Sequence, residues 1–201
     1  MKTRRLAIVM AGLSLAGTAN ARGPAPANAG WPCEVEPKPV LAPGDYWGAA
    51  AAGAKTWRAD PALATLVAEV APRSMSTDDA TARLRQFVNR SAAPEPTRAS
   101  LAAGLVETID AERQTIIAGI RRFNVRQDHL ARSIEQSYTA LDQPDAKADA
   151  TRRAAITDQA QWDTRVFEDR QRLLPIICSQ PAALEKRLGT LVAALRETAP
   201  P

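Results

Sequence analysis

The sequence has few of the residues that carry most metal and redox chemistry. Its 201 residues include one histidine and two cysteines, and 4% of them are aromatic. One histidine and two cysteines cannot supply the several ligands of a usual Cys/His zinc site, a haem or an iron–sulfur cluster. The sequence also has no P-loop and no dinucleotide-binding fingerprint. We therefore expect no metal and no cofactor.

Groups with catalytic potential are equally scarce. His129 is the one imidazole, Asp128 precedes it, and Ser133 follows one helical turn later. A Ser–His–acid triad needs a nucleophile on a strained turn and an oxyanion hole, and this helical pattern indicates neither. The sequence therefore predicts a protein that is not an enzyme.

The net charge of +4 comes mostly from the start of the chain. Lys2, Arg4 and Arg5 stand there without an acidic residue before position 22, and removing them leaves 23 basic against 22 acidic residues. A balanced remainder does not favour a nucleic-acid partner. One local basic cluster remains, formed by Arg121, Arg122 and Arg126. It is either a contact for an anionic polymer or a solvated helix face.

Residues 1–21 have the pattern of a signal peptide. The basic start precedes an apolar run from Leu6 to about Gly17, and Ala19-Asn20-Ala21 supplies small residues for cleavage. A membrane anchor is the alternative, but the run is shorter than the roughly 18 to 20 residues that span a bilayer. We expect export to the periplasm, with no membrane span after cleavage.

The predicted export bears on whether the two cysteines form a disulfide. Cys33 and Cys178 can pair in one way, and an oxidising compartment favours a disulfide between them. Two free buried thiols are the alternative. The loop that the disulfide closes would exceed 140 residues, which predicts a stabilisation of about 4 to 5 kcal/mol at most.

Residues 22–59 read as an extended arm that is rich in proline and tryptophan. Each proline fixes φ and removes a backbone donor, which disfavours helix. The arm contains Trp31, Trp47 and Trp57. We expect these rings to pack on a helical body, since large exposed aromatic surface is unfavourable. The alternative is a cleft in which they stack against a small ligand or a cell-wall glycan or peptide.

Residues 60–201 predict a helical domain. Short helices are expected at about 60–71 and 77–91, a long antiparallel hairpin at about 97–142 and 145–180, and a final helix at about 182–197. The fold class is therefore all-α, with a coiled-coil-like hairpin, shorter flanking helices and the extended arm.

The hairpin pattern makes further predictions about the return helix. Reversal at Gln143-Pro144 places Phe123 opposite Thr164. Pro175 should kink the helix, and Pro181 should begin the final one. The residues predicted on the inner side of the return helix are Ala148, Ala155, Ile156, Trp162, Val166, Leu173 and Ile177.

Several short motifs resemble an uncharacterised family of proteobacterial exported proteins. They are Gly30-Trp31-Pro32-Cys33, the later Trp47, and the stretch from Leu105 to Arg113 that continues into Gly119-Ile120-Arg121-Arg122-Phe123. The resemblance covers most of the mature chain. It implies a bacterial periplasmic setting and a helical fold, and it implies no activity and no functional residue.

Two functions follow from these predictions. The first is a non-enzymatic periplasmic interaction or scaffold protein, whose hairpin binds a protein partner or a second copy. The second is a small-ligand or cell-wall binding module that uses the aromatic residues of the arm.

Overall fold

The structure is a computed structural model that describes residues 30–52 and 56–197. Its regular elements are all helical and no β-strand occurs in these ranges, which confirms the predicted all-α fold. The predicted signal peptide and residues 22–29 of the arm lie outside the described residues. The helices are α1 (Pro43–Trp47), α2 (Ala49–Ala52), α3 (Pro61–Val70), α4 (Thr77–Ser91), α5 (Glu95–Leu141), α6 (Pro144–Ala148) and α7 (Ala150–Glu197), and a 3₁₀ helix spans Thr56–Arg58.

Helices α3 and α4 begin at the capping residues that the sequence contains. The Asp60 carboxylate accepts hydrogen bonds from the backbone N–H of Ala62 and Leu63, and proline occupies the first helical position of α3. The Ser76 hydroxyl accepts from the backbone N–H of Asp79 at the start of α4. These bonds satisfy donors that the first helical turn leaves free.

Helices α5 and α7 form the long hairpin. They run antiparallel, because Arg98 near the start of α5 donates to the Leu195 carbonyl near the end of α7. Farther along, the Gln127 side chain donates to the Phe167 carbonyl at 3.3 Å. The two helices pack against each other along their length, which confirms the predicted hairpin.

The reversal between α5 and α7 contains an extra helical turn. The sequence predicts a compact turn at 142–145, with Asp145 capping the return helix. In the structure α6 fills this position, and the return helix begins after Asp149. The Asp149 carboxylate accepts from the backbone N–H of Thr151 at 2.9 Å and so caps α7.

The extra turn changes the register of the hairpin. The prediction places Phe123 opposite Thr164, whereas Gln127 contacts Phe167 in the structure. The observed partner lies about two helical turns farther along α7 than predicted. The predicted register is therefore wrong, because α6 lengthens the connection.

Helix α7 continues through both of its prolines. The sequence predicts one helix to about residue 180 and another from 182, but a single helix contains Pro175 and Pro181. Each proline lacks a backbone N–H and costs the helix a hydrogen bond. Pro181 is buried, as are the leucines at positions 184 and 188, so packing against the core holds this segment helical.

The arm is partly helical, contrary to the prediction of an extended segment over 22–59. Residues 30–42 contain no helix, but α1, α2 and the 3₁₀ helix follow. Pro43 occupies the first turn of α1, where its fixed φ favours a helix and its missing N–H costs nothing. The alanines of α2 have the highest helix propensity.

The hydrophobic core lies at one end of the hairpin. Side chains of α3, α4, the start of α5 and the end of α7 pack together there, and Leu41 and Trp57 of the arm join them. By contrast, in the stretch from residue 121 to 174 the buried side chains are Gln127, Ala146 and Ala160. We call residues 121–174 the distal hairpin. It is a two-helix projection with almost no core of its own.

Within the described ranges, none of the helices combines the length and the apolar character that crossing a lipid bilayer requires.

Candidate functional site

A disulfide joins the arm to α7. The Sγ atoms of Cys33 and Cys178 are 2.02 Å apart and their Cα atoms are 5.6 Å apart, which confirms the predicted pair. The cysteines are separated by 145 residues in sequence. The bond therefore fixes the start of the described chain beside the root of the distal hairpin.

A buried arginine fastens the same arm to both long helices. Arg113 of α5 is fully buried. Its Nε donates to the Glu185 carboxylate of α7 at 2.6 Å, and its other nitrogens donate to Asp110 at 3.1 Å and to the Lys38 carbonyl at 2.7 Å. A buried guanidinium needs such a full set of acceptors, because an unpaired charge inside a protein is strongly unfavourable.

Tyr46 of α1 lies in the electrostatic field of this cluster. Burial raises the pKa of its phenol, the negative charge of Glu185 raises it further, and the positive charge of Arg113 opposes the shift. The arm therefore contains a titratable group that is sensitive to its attachment.

A second buried arginine holds the connection between α3 and α4. Arg187 of α7 donates to the carbonyls of Val70 at 2.8 Å and Pro72 at 3.0 Å, and to the Thr77 hydroxyl at 3.0 Å. These carbonyls lie at the carboxyl end of α3, where a helix leaves acceptors free. Burial lowers the pKa of Arg187, and the charge of Glu112 opposes that shift.

Trp57 is part of the core. It is 7% exposed, and its indole N–H donates to Glu107 at 3.1 Å. The Arg58 guanidinium lies 4.2 Å from the ring centroid. Trp57 also packs so closely against Gly104 that a Cβ there would lie 2.9 Å from the ring. This tryptophan therefore has no open face for stacking a ligand.

Trp31 and Trp47 are half-buried. The Trp31 indole donates to the Val35 carbonyl at 2.8 Å within the arm. The Trp47 indole donates to Glu95 at the start of α5, and the Arg196 guanidinium lies 5.1 Å from the Trp47 ring centroid. Both rings thus have protein partners and retain some exposed surface.

The predicted basic cluster lies on α5 where the distal hairpin begins. Arg121, Arg122 and Arg126 are exposed. In the part of the chain that the structure describes, none of the ion pairs includes these three arginines. Their charges therefore face solvent.

The outer side of α7 carries large apolar side chains. Trp162 is 60% exposed, Leu173 51% and Ile176 60%. The prediction that Trp162 and Leu173 lie on the inner side of the return helix is therefore wrong. The inner side is formed instead by residues such as Ala160 and Phe167, which lie roughly opposite Trp162 around the helix.

The spacing of the exposed side chains is that of a helix-packing seam. Together with the half-buried Val166 and with Asp169, they recur at alternating intervals of four and three residues. This is the heptad pattern by which a helix meets another helix. We call Trp162, Val166, Asp169, Leu173 and Ile176 the outer stripe of α7.

The sequence contained the signal for the outer stripe, but that signal was ambiguous. Apolar residues of α7 follow two helical faces, and periodicity alone does not say which face meets α5.

His129, the single histidine, is exposed on α5. Among the described residues, no group of three or more histidine, cysteine or acidic side chains is placed to hold a metal ion.

Comparisons with protein-family models, curated proteins and solved structures found no match.

Proposed function

We propose that this protein is a non-enzymatic interaction or scaffold protein of the bacterial periplasm, which uses its distal hairpin to associate with a second copy of itself. The outer stripe of α7 is the observation that carries the proposal. The apparent leader, the disulfide and the resemblance to exported proteobacterial proteins support the periplasmic setting.

The distal hairpin lacks the core that a free-standing helix pair needs. Between residues 121 and 174 three side chains are buried, and the apolar residues that line the α5–α7 contact are half-buried. Most of the stability of a helix in a protein comes from packing its apolar face. Association through the outer stripe would give α7 a second packed face, which the hairpin alone does not provide.

The outer stripe suits a helix from another chain. A heptad seam in a soluble helix usually meets a partner helix, so two copies that pair through the outer stripe would pack α7 against α7. The exposed indole of Trp162 supplies the large apolar surface that is common at the centre of interfaces.

The charges on and beside the outer stripe are compatible with pairing of like surfaces. Arg172 contacts Asp169 at 2.7 Å and Glu168 at 3.9 Å, so both signs occur on this face. A face of one sign would repel its copy, whereas a mixed face can align opposite charges. This balance favours a second copy over a highly charged partner.

Sedimentation velocity of the mature chain over a range of concentrations tests the proposal. We expect the wild type to form a dimer. Trp162→Lys should raise the dissociation constant of that dimer at least tenfold and so favour the monomer. Gln161→Lys is the matched control, because Gln161 is exposed and points about 100° away around the helix. A wild type that stays monomeric at every concentration contradicts self-association.

Crosslinking in periplasmic extracts tests the wider proposal of an interaction protein. A photoreactive residue at position 162 should capture protein, and the same residue at position 161 should capture much less. If the photoreactive residue at position 162 captures a different envelope protein and the purified chain is monomeric, the partner is that protein and not a second copy. No capture, with a monomeric chain, would overturn the proposal.

The second candidate function is a binding module for a small ligand or cell-wall material at the aromatic residues of the arm. It receives less support because Trp57 is buried and Trp47 is covered in part by Arg196. Titration of the indole fluorescence with glycans and peptides tests it, and a response that Trp47→Leu removes would favour it.

A further inference from the structure

An apolar pocket lies between α5 and α7 where the distal hairpin begins. Its volume is about 260 Å³. The lining residues are Ile116, Gly119, Ile120, Phe123, Arg126, Ile177 and Gln180. Ile177 precedes the disulfide cysteine of α7, so the pocket lies beside the covalent attachment of the arm.

Gly119 of α5 lies in the lining of the pocket. A Cβ built on Gly119 would meet a single side-chain atom, of Arg122, at 3.9 Å, and otherwise open space. Phe123 and Ile116 lie on the same face of the helix. Because no atom of α7 lies within 4 Å of such a Cβ, we expect a larger side chain at position 119 to be tolerated and to take up space in the pocket.

Of the two polar side chains that line the pocket, Gln180 already has hydrogen-bond partners and Arg126 forms no ion pair among the described residues. The Gln180 side chain is already engaged, since its oxygen accepts from Arg73 at 2.6 Å and its nitrogen donates to the Ile176 carbonyl at 3.4 Å. Arg126 is exposed and takes part in no ion pair among the described residues. The pocket thus combines aliphatic walls with one cation that is free to bind an anion.

We propose that this pocket binds a medium-chain aliphatic carboxylate, with its chain against Ile120 and Phe123 and its carboxylate on the Arg126 guanidinium. The aliphatic chain matches the apolar walls, and the carboxylate matches the one unpaired cation of the described lining. A guanidinium can bind a carboxylate through two parallel hydrogen bonds. The volume is slightly below the range for drug-sized ligands, which excludes long acyl chains.

Calorimetry on the mature chain tests the charge requirement, with decanoate, decanol and decyltrimethylammonium as probes below their micelle concentrations. We expect decanoate to bind about tenfold more tightly than decanol, and the cation to bind more weakly than either. The tenfold preference is the size expected for one charge-assisted contact. Equal affinity for decanoate and decyltrimethylammonium would overturn the proposal.

Two substitutions with matched controls locate the site. Arg126→Gln should remove the preference for decanoate over decanol, whereas Arg122→Gln, a neighbouring exposed arginine outside the lining, should keep it. Gly119→Leu should fill the pocket and lower the affinity for both probes at least tenfold. Gly189→Leu is its control, because nothing lies within 4 Å of a Cβ on that exposed helical glycine.

The variants also separate this site from binding to a surface. Decanoate binding that Gly119→Leu leaves unchanged would show that the chain does not enter the pocket, and would overturn the proposal. Phosphatidylglycerol vesicles distinguish free carboxylates from membrane lipids as the source of the acyl chain. Vesicle binding that is equal in the wild type and Gly119→Leu, without binding of free decanoate, would also overturn it.

Discussion

The Arg113 guanidinium donates to the Glu185 carboxylate at 2.6 Å and thereby joins α5 to α7 inside the protein. The same guanidinium donates to the Lys38 carbonyl, so one side chain links both long helices and the arm. Because Arg113 is fully buried, water cannot replace any of these partners at low cost. The contact is therefore central to the attachment of the arm.

Arg113→Met should destabilise the protein by about 3 kcal/mol or more, since removing one member of a buried charge network leaves its partners unpaired. Urea unfolding followed by circular dichroism measures the change. Arg85→Ala is the control, because Arg85 forms its ion pair with Glu197 in solvent and such pairs contribute at most about 1 kcal/mol. Similar losses in the two variants would contradict the assigned role of Arg113.

The close contact between Gly104 and Trp57 predicts how a substitution at position 104 affects stability. A Cβ at position 104 would lie 2.9 Å from the Trp57 ring and 2.8 Å from a Val67 methyl. Gly104→Ala should therefore destabilise the protein by about 1 to 3 kcal/mol through overpacking, although alanine is the better helix former.

The matched substitution on α7 should have the opposite sign. Gly189 has open space around its missing Cβ, so Gly189→Ala should stabilise the protein by about 0.5 to 1 kcal/mol through helix propensity alone. Thermal and urea unfolding of the two variants measure the difference. A stabilising Gly104→Ala would show that the indole moves aside freely.

The local elements of this fold could be predicted because their signals are local. Asp60 with Pro61 and Ser76 with Thr77 specify the starts of α3 and α4 through hydrogen bonds within one turn. The disulfide could be predicted because the sequence predicts export, and two cysteines have one way to pair. None of these features depends on the register of the hairpin.

The placement of the outer stripe could not be predicted, because it depends on which face of α7 packs against α5. Trp162 and Phe167 lie on different faces of α7, and both faces carry apolar residues at helical spacing, so periodicity does not distinguish them. Pro181 also shows tertiary packing prevailing over propensity, since a buried proline continues a helix that the sequence predicts to break. The candidate interaction face is the face of α7 that this packing leaves exposed.

The disulfide should contribute more to stability than to helix content. It closes a separation of 145 residues, and the loop-entropy estimate for such a loop is at most about 5 kcal/mol. The double variant Cys33→Ser, Cys178→Ser should therefore unfold at lower urea, while its far-ultraviolet circular dichroism stays close to that of the wild type. The helices keep their own core, to which neither cysteine belongs.

Thiol titration provides the direct check on the disulfide. The purified protein should show no free thiol until it is reduced, and mass spectrometry without reductant should recover the Cys33 and Cys178 peptides linked. Two titratable thiols in the unreduced chain would contradict the pairing. An unchanged urea midpoint in the double variant would instead contradict the entropic contribution.

The phenol of Tyr46 should make stability depend on alkaline pH. Burial raises its pKa in the folded protein, and the unfolded chain releases the same proton near pH 10. Above that pH the unfolded state holds fewer protons than the folded state, so the free energy of unfolding decreases as pH rises toward and through the raised pKa. Below about pH 9 both states are protonated and this dependence vanishes.

Tyr46→Phe removes the titrating group and keeps most of the ring packing. The difference in unfolding free energy between wild type and Tyr46→Phe should stay constant from about pH 7 to 9. Above about pH 10 the wild type should lose stability relative to Tyr46→Phe. Urea unfolding at each pH measures this difference, which cancels the titration of lysines common to both proteins. A constant difference up to about pH 11 would show that Tyr46 ionises in the arm as easily as in the unfolded chain, and that α1 does not hold the phenol in the field of Glu185.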